Sequence, residues 1–367
     1  MSSKTNQAEY FEENNATTES VKCSGCGSNM VFNPDAQLLE CPYCGTKKQF
    51  GVSNFAKECD LYDGLVSSKQ WAREDAVVFS CENCGARVVL NQGETAGFCP
   101  FCGTSHVRKT EELAGIKPHA LIPFAFGEKK GVEYSVAWAK KRFFAPNNFK
   151  KNIKTDNVRG VYMPCFTFDS QTISYYEGRI GKLRTRTVGS GKNRRTETYI
   201  VWHNIRGTYC HAYDDLLITA GSKFSQKELE KVTPFDTNNG KTYKEEFMLG
   251  FMAYHYDTEL KECWEYAKNR IDSDLRNRIL SQYNYDRVAY LNVSTTHDNV
   301  KYKYIMLPIY VGNYKYGKKV YNFFVNGSTG KVYGKTPVSF WKVLFTVLGV
   351  GALIGGIIFA LHLAGLF

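Results

Sequence analysis

Cys23-Ser-Gly-Cys26, followed after fourteen residues by Cys41-Pro-Tyr-Cys44, is the first copy of a pattern that the chain contains twice. The second copy is Cys81-Glu-Asn-Cys84, followed after fourteen residues by Cys99-Pro-Phe-Cys102. Each cysteine of the first copy has its counterpart 58 positions later. Repetition at a constant offset indicates a duplicated structural unit, so the two stretches are expected to fold alike.

The spacing is typical of a structural zinc site. A Cys-x-x-Cys turn brings two sulfur atoms together, and a glycine follows each second cysteine, as in Cys44-Gly45. Glycine adopts positive φ readily, which lets backbone N–H groups point at sulfur. Two such turns joined by a short hairpin offer four thiolates to one tetrahedral Zn²⁺. We therefore predict two zinc ribbons, at 21–52 and 79–110, whose ligands are Cys23, Cys26, Cys41, Cys44, Cys81, Cys84, Cys99 and Cys102.

Disulfides and redox-active pairs are the alternatives for these cysteines. Disulfides need an oxidising compartment, and the polar, acidic residues 1–20 do not resemble a signal peptide. A thioredoxin-type site would be one Cys-x-x-Cys pair within a βαβ pattern. Thiolates fill all four ligand positions of each predicted site, so both zinc ions are expected to be structural. Ribbons of this size are expected to need the metal in order to fold.

The 367 residues leave room for two or three domains. The remaining cysteines, Cys59, Cys165, Cys210 and Cys263, are scattered, as expected for reduced cytosolic thiols. The formal net charge is +11, and its surplus is concentrated in a few stretches. The predicted division is a disordered lead-in at 1–20, ribbon 1 at 21–52, a connector at 53–78, ribbon 2 at 79–110, an α+β core at 116–338 and a transmembrane helix at 341–366.

The core is predicted to combine a mixed, mainly antiparallel sheet with helices. Apolar residues at helical spacing predict helices over 128–144 and 257–280. Patterns of aromatic and β-branched residues predict strands at 160–168, 174–177, 289–295, 302–312, 318–325 and 331–333. Val161-Tyr-Met-Pro164 and Ile305-Met-Leu-Pro308 are similar stretches 144 residues apart. We therefore expect two related halves, each with a helix followed by a hairpin.

Residues 179–195 are the most basic part of the chain, with seven Lys or Arg and no acid. Glycines interrupt this stretch, which predicts a long hairpin with a cationic tip. Lipid headgroups and a phosphodiester backbone both fit such an arm, and a solvated loop is the alternative. The stretch lacks interleaved aromatic residues for base stacking, which favours lipid over nucleic acid. The predicted anion-binding residues are Arg179, Lys182, Arg184, Arg186, Lys192, Arg194 and Arg195.

The motifs do not predict an enzyme. Gly189-Ser-Gly-Lys192 lacks the glycine spacing of a phosphate-binding loop, and Lys319 replaces the Mg²⁺-binding hydroxyl residue in the stretch from Gly312. Cys210 and His211 invite comparison with a nucleophile and its base. Neighbouring residues on a regular strand point to opposite faces, however, so these two are not expected to act together.

The last 25 residues, 343–367, contain no Asp, Glu, Lys or Arg. As a helix they span about 37 Å, which exceeds the roughly 30 Å hydrocarbon core of a bilayer. Lysines precede the segment and none follows it, which predicts a single-pass protein of the cell membrane with cytoplasmic N-terminal domains. Small residues also predict helix–helix packing and a homo-oligomer, although glycine is common in membrane helices: Gly351, Ala352, Gly355, Gly356 and Ala360.

Three central motifs accompany the doubled cysteine pattern: Phe143-Phe-Ala-Pro146, Gly160-Val-Tyr-Met-Pro164 and Phe324-Val-Asn-Gly-Ser-Thr-Gly-Lys331. Together they resemble a family of bacterial zinc-ribbon membrane proteins, over most of residues 20–340. Members are described as containing a transcription-factor-IIB-type zinc ribbon and are sometimes named primosomal or replication-restart helicases. This chain has no ATPase motif that would support a helicase.

Some relatives in that family look like partners of phage-shock-type membrane stress proteins. The resemblance therefore implies a membrane-anchored adaptor that recruits a cytosolic protein at the inner membrane surface during envelope stress. Nucleic-acid binding through the ribbons and the basic stretch, in replication or transcription, is the second interpretation. A membrane tether limits access to DNA, which ranks this interpretation lower.

Overall fold

The computed structural model describes residues 21–51, 55–67, 71–73, 77–90, 98–105, 107–110, 113–151, 158–317 and 319–363. The lead-in predicted at 1–20 lies outside these residues. The helices are α1 (Leu61–Ser67), α2 (Glu128–Lys140), α3 (Asn147–Lys151), α4 (Gln226–Val232), α5 (Leu260–Ser281) and α6 (Phe340–Leu363). The strands are β1 (Val31–Asn33), β2 (Leu38–Glu40), β3 (Lys47–Lys48), β4 (Cys59–Asp60), β5 (Trp71–Arg73), β6 (Val77–Cys81), β7 (Arg87–Leu90), β8 (Val107–Thr110), β9 (Leu113–Gly115), β10 (Ala120–Leu121), β11 (Val158–Val188), β12 (Arg195–Thr219), β13 (Lys241–Thr242), β14 (Met252–Tyr254), β15 (Arg287–Tyr316), β16 (Lys319–Asn326) and β17 (Val332–Gly334).

Two long antiparallel strands, β11 and β15, form the centre of this mixed α+β fold. They pair from Val158 opposite Gly312 to Gly181 opposite Arg287. β12 pairs with the other edge of β11, and β16 pairs with the other edge of β15. The return strands therefore flank the central pair on both sides, with β17 outside β16.

The two halves of the core are related by an approximate two-fold axis. Met163 pairs with Leu307, which is the residue 144 positions further along the chain. β10 runs parallel to β15 on one side of the axis, and β14 runs parallel to β11 on the other. Each half therefore consists of a short strand, a helix, a long strand and a return strand. The predicted repeat agrees with this arrangement, in which the two similar stretches pair with each other.

The long strands differ from the sequence prediction, which divided each of them in two. β11 continues through the predicted gap at 169–173, and β15 continues through the gap at 296–301. Both ladders of β11 shift register next to Asp169, as β-bulges do. Asp215 and Asn299, on the two partner strands, have φ of 49°. A bulge interrupts the alternation of apolar and polar residues, which is why the patterns ended there.

α5 covers one face of the sheet and carries the apolar stripe that the sequence predicted. Its buried residues include Leu260, Trp264, Ala267, Ile271 and Leu275. Further along, Ile279 joins a smaller cluster under the extended part of the sheet, with Tyr176, Ile180, Ile205 and Leu291. Packing against α5 thus supports the long strands well beyond the central core.

Aromatic side chains fill the centre of the molecule, where the two halves meet. Phe124 stacks on Phe251 with ring centroids 4.3 Å apart, and Tyr162 packs edge-on against Phe124 at 5.0 Å. Tyr310 completes the group at 4.7 Å from Phe124. Gly160 lies beneath this cluster, where a Cβ would come within 2.5 Å of the Phe251 ring. These aromatic rings therefore form a dense cluster at the junction of the two halves.

α6 is the C-terminal helix and lies outside the core. Mean hydropathy over Phe340–His362 is 2.5. In the most apolar window of this segment, no residue is buried. Its 24 residues give a length of about 36 Å. The helix is long and apolar enough to cross a membrane.

Candidate metal centres

Four turns with the same backbone geometry carry the eight predicted zinc ligands. The glycine after each second cysteine has a φ between 71° and 74°. Its N–H donates to the carbonyl of the first cysteine, as from Gly27 to Cys23 at 2.9 Å and from Gly103 to Cys99 at 2.9 Å. The first cysteine's own N–H donates to the residue after the glycine, as in Cys41 to Thr46 at 2.9 Å. The positive φ predicted for these glycines is therefore present in all four turns.

The turns bring the sulfur atoms together in two groups of four. Sγ–Sγ distances are 3.4 Å for Cys23 and Cys44 and 3.5 Å for Cys26 and Cys41. In the second group they are 3.5 Å for Cys81–Cys102 and 3.7 Å for Cys84–Cys99. Four ligands at 2.3 Å from a central ion stand about 3.8 Å apart at the corners of a tetrahedron. The spacing fits Zn²⁺ and is far longer than an S–S bond.

The surroundings shift the pKa values of the sulfur atoms in both directions: hydrogen bonds lower the pKa of some thiols, whereas the hydrogen bond with Cys84 raises that of Cys99 and burial raises that of Cys81. The Ser28 hydroxyl, 3.0 Å from Cys41 Sγ, is the main cause that lowers the pKa of Cys41 to about 6. In the second group a hydrogen bond with Cys99 lowers the pKa of Cys84 to about 5. Each Cys₄ group offers four ligand atoms, so the two groups can hold two zinc ions per chain, one in each.

Both ribbons are joined to the core rather than held away from it. Ribbon 1 contains the hairpin β1–β2, and Phe32 packs edge-on against Phe247 at 5.2 Å. Ribbon 2 adds β7 to β14, with Val89 opposite Ala253, so it extends the central sheet. Disruption of either Cys₄ group is therefore expected to disturb the core as well as the ribbon.

The duplicated turns differ in one respect that the sequence did not reveal. Tyr43 and Phe101 occupy equivalent positions in the second turn of each ribbon. Phe101 is 2% exposed and packs on Tyr254 at 5.2 Å, whereas Tyr43 is 82% exposed. Ribbon 2 thus uses its aromatic residue to bind the core, and ribbon 1 presents its own to solvent.

The remaining cysteines lie away from the two metal groups. Cys165 and Cys263 are buried, and burial raises the pKa of the Cys263 thiol to about 12. Cys210 and His211 pair with consecutive residues of β11 in a regular stretch of ladder, so their side chains point to opposite faces. They do not form a nucleophile and base.

The predicted basic arm is the distal part of the β11–β12 hairpin. β15 stops pairing at Gly181, and the two strands continue without it from Lys182 opposite Val201 to Val188 opposite Arg195. The tip contains a short 3-10 helix, Gly191–Asn193, and the side chain of Lys192 lies outside the described part.

Acidic partners neutralise part of the arm's charge. Glu197 lies 3.2 Å from Arg186 and 2.8 Å from Arg195, and Lys182 lies 3.5 Å from Asp286. In the described part of the chain, neither of the two remaining arginines of the tip, Arg184 and Arg194, makes an ion pair. The free charge of the arm is therefore smaller than the sequence suggested.

Aromatic rings lie beside the arginines of the arm. The Arg186 guanidinium lies 5.6 Å from the Tyr199 ring, and that of Arg179 lies 5.7 Å from the Trp202 ring. Residues 179–195 contain no aromatic residue, as the sequence showed, but two rings do lie beside the arm. The return strand β12 supplies them from beyond the basic stretch.

Sequence reasoning missed an acidic cluster beside the bulges. Carboxylate oxygens of Glu58, Asp169 and Asp214 lie within 4.8 Å of one another. The Lys303 ammonium lies 3.1 Å from Asp215 Oδ1 and 3.9 Å from Glu58 Oε1. Burial raises the pKa of Asp169 to about 7, and the neighbouring Glu58 adds to the shift. Lys303 already supplies a positive charge here, so the cluster is better described as an ion-pair network than as a third metal site.

The small residues predicted for helix–helix packing lie along α6 with open space around them. A Cβ added at Gly351, Gly355 or Gly356 would have no atom within 4 Å. Ala352 and Ala360 are exposed on the same helix. The helix surface is thus free to receive a second helix.

The chain is similar to an uncharacterized bacterial protein. The chain is 26% identical over 351 residues to the uncharacterized protein YdjG of Bacillus subtilis (strain 168). The alignment covers 95% of this chain and 97% of YdjG. No protein-family model matches the chain, and no solved structure matches it. The similarity to YdjG extends over almost the whole length of both proteins.

Proposed function

We propose that the protein is a non-enzymatic, membrane-anchored adaptor that holds two structural zinc ions and recruits a protein partner at the cytoplasmic face of the membrane. The observation that carries the proposal is the combination of two closed Cys₄ groups with an uncovered apolar helix on one folded body. Four thiolates around each ion leave no position for a substrate or water. A zinc site of this kind shapes a binding surface.

Lipid is the proposed environment of α6. Large apolar side chains cover the helix on all sides, including Phe345, Leu353, Ile357 and Phe359, and all four are exposed. Soluble proteins rarely expose an apolar surface of this extent. Lys335 precedes the helix and Lys342 lies in its first turn, which favours a cytoplasmic position for the ribbons and core. The open small-residue row supports a homo-oligomer formed through the same helix.

Tyr43 is the proposed centre of the partner surface. Exposed Tyr side chains are frequent hot spots of protein interfaces, because they bury a large area at little entropic cost. Lys47 and Lys48 on β3 are exposed in the same ribbon and give this surface a positive charge. An acidic cytosolic protein would fit it. The resemblance to zinc-ribbon membrane proteins with stress-protein partners points to a role in envelope stress.

The test is affinity purification of the full chain from detergent-extracted membranes. Tyr43→Ala should lose a protein that wild type retains, and Tyr62→Ala, which truncates another exposed tyrosine on α1, should keep it. Zinc content should stay at two per chain in both variants, because neither residue is a ligand. Equal recovery of all partners by Tyr43→Ala would refute ribbon 1 as the recruiting surface.

The arm supports a second candidate function, the binding of single-stranded nucleic acid. Tyr199 and Trp202 lie beside Arg186 and Arg179, and stacking rings next to cations are what such binding uses. Anionic lipid is the competing ligand for the same charges. The full chain in detergent should be offered a labelled oligonucleotide, with anionic and neutral vesicles as competitors at one ionic strength. Saturable binding that Tyr199→Ala weakens and anionic vesicles do not displace would favour nucleic acid.

A further inference from the structure

Exposed aromatic side chains surround the point where α6 leaves the core. Phe143 and Phe144 follow α2, and Phe143 is 65% exposed. Phe340 and Trp341 form the first turn of α6, and Phe340 is 71% exposed. A backbone hydrogen bond of 2.8 Å from Ser339 N to Phe144 O holds the two segments side by side. Four exposed aromatic residues are thus gathered in one patch, which we call the foot.

Lys342 locks the foot to the folded core. Its ammonium lies 3.2 Å from Phe143 O, 2.8 Å from Ala145 O and 2.9 Å from Asn147 Oδ1. An ammonium has three N–H donors, and these three acceptors use all of them. Lys342 is therefore committed to the joint between α6 and the loop after α2. These hydrogen bonds fix the direction in which α6 leaves the core, which a flexible linker would leave free.

Basic residues border the foot. Lys140 is the last residue of α2, Lys141 and Arg142 follow it, and all three are exposed; Lys150 lies on α3. The sequence from 134 to 151 contains no acid. Aromatic rings flanked by basic side chains are the composition that proteins place at the boundary between anionic headgroups and acyl chains. A protein partner would need an apolar pocket for each of four rings, whereas the boundary layer accepts them all without a fitted shape.

We propose that the foot is a second membrane contact, in which Phe143, Phe144, Phe340 and Trp341 enter the headgroup–acyl boundary of the leaflet. The proposal rests on the membrane span assigned to α6, and it adds which face of the folded core touches the leaflet. The core then stands on the membrane in one orientation.

The same geometry separates the foot from the basic arm. α3, which follows the foot residues Phe143 and Phe144, lies near the beginning of β11. The ring of Phe149 on α3 is 5.1 Å from that of Tyr314, and Gly312, two residues before Tyr314, pairs with Val158, the first residue of β11. The arm lies at the other end of β11, and 31 residues of strand have a contour length of about 100 Å. The tip of the arm is therefore distant from the foot along the sheet, and with the foot at the leaflet the tip points away from this contact.

The experiment uses the full chain in liposomes and tryptophan quenching by lipids brominated on the acyl chain close to the headgroup. Phe143→Trp adds a reporter in the foot, and Tyr62→Trp adds one at an exposed position on α1. The added emission of Phe143→Trp should be lost with brominated lipid and resist aqueous acrylamide. The added emission of Tyr62→Trp should show the opposite response.

The outcomes separate the foot from the span. Wild type contains Trp341 at the start of α6, so some quenching of wild type by brominated lipid is required by the span itself. No quenching of wild type would overturn the span, and the foot with it. A different result would overturn the foot alone. In that case brominated lipid quenches wild type, but the emission added by Phe143→Trp is reduced by acrylamide and not by brominated lipid.

A second variant tests the joint. Lys342→Met on the Phe143→Trp background removes three hydrogen bonds and leaves α6 apolar. We expect lipid quenching of wild-type Trp341 to persist and that of Trp at position 143 to fall. Unchanged quenching at both positions would overturn the conclusion that Lys342 holds the foot against the leaflet.

Discussion

Cys99→Ser is expected to remove one of two zinc ions and to destabilise the core with ribbon 2. Cys99 is buried, and its sulfur lies 3.7 Å from that of Cys84. A serine hydroxyl is a poor substitute for a thiolate, so the second group loses its closed Cys₄ set. The matched control is Cys210→Ser, because Cys210 is an exposed cysteine outside both groups.

The size of the effect follows from what ribbon 2 buries. Ribbon 2 buries three large apolar side chains, those of Val78, Val88 and Phe101. Complete burial of one such side chain contributes about 1.5–3 kcal/mol, so the three contribute at most about 5–9 kcal/mol. A whole domain is stable by about 5–15 kcal/mol. Loss of this packing, with loss of the β7–β14 pairing, should therefore lower the unfolding temperature of the entire core.

The assay combines metal analysis with thermal unfolding of the detergent-purified full chain. Wild type and Cys210→Ser should contain two zinc ions per chain, and Cys99→Ser should contain one. Circular dichroism should show a lower unfolding midpoint for Cys99→Ser than for Cys210→Ser.

Two results would refute different parts of the reasoning. Two zinc ions and an unchanged midpoint in Cys99→Ser would mean that Cys99 is no ligand. One zinc ion with an unchanged midpoint would mean that ribbon 2 unfolds separately, and that its packing on the core contributes little.

Three further predictions concern the helix, a carboxylate and a glycine. Deletion of residues 340–363 should move the protein from the membrane pellet to the soluble fraction; a truncated chain that still pellets would require another anchor. The raised pKa of Asp169 means that its contribution to stability is present below about pH 4 and is lost as pH rises toward 7. Asp169→Asn removes this pH dependence. Between pH 5 and 8, the free energy of unfolding of the variant should therefore rise by about 1 kcal/mol relative to wild type, a value reduced because the group is half-exposed. Chemical denaturation at each pH measures this difference, and parallel curves for the two proteins would contradict the prediction. Gly64→Ala places a Cβ 2.3 Å from the Tyr302 ring and should cost about 1–3 kcal/mol in thermal unfolding, whereas Gly349→Ala on open α6 should be neutral, and equal midpoints would exclude the clash.

Features that depend on neighbouring residues were determined by the sequence. The eight cysteines and their glycines specify four turns locally, so the two metal groups could be predicted residue by residue. The apolar stripe of α5 and the uninterrupted apolar run of α6 are likewise properties of short windows. Even the two-fold relation of the halves had a signal, because Met163 and Leu307 stand in similar stretches.

Only the tertiary structure decided features that depend on residues far apart in the chain. The bulges at Asp169 break the local pattern, yet pairing across the sheet carries both long strands through them. A lysine within a buried strand pattern, Lys303, was the available signal for the acidic cluster. Tyr43 and Phe101 have equivalent positions in the repeat and opposite exposure, because only one of them meets Tyr254. Periodicity shows which face of an element a residue occupies, but not which distant segment covers that face. Lys342 and Phe143 illustrate this, because they are 199 residues apart and the Lys342 ammonium donates to the Phe143 carbonyl.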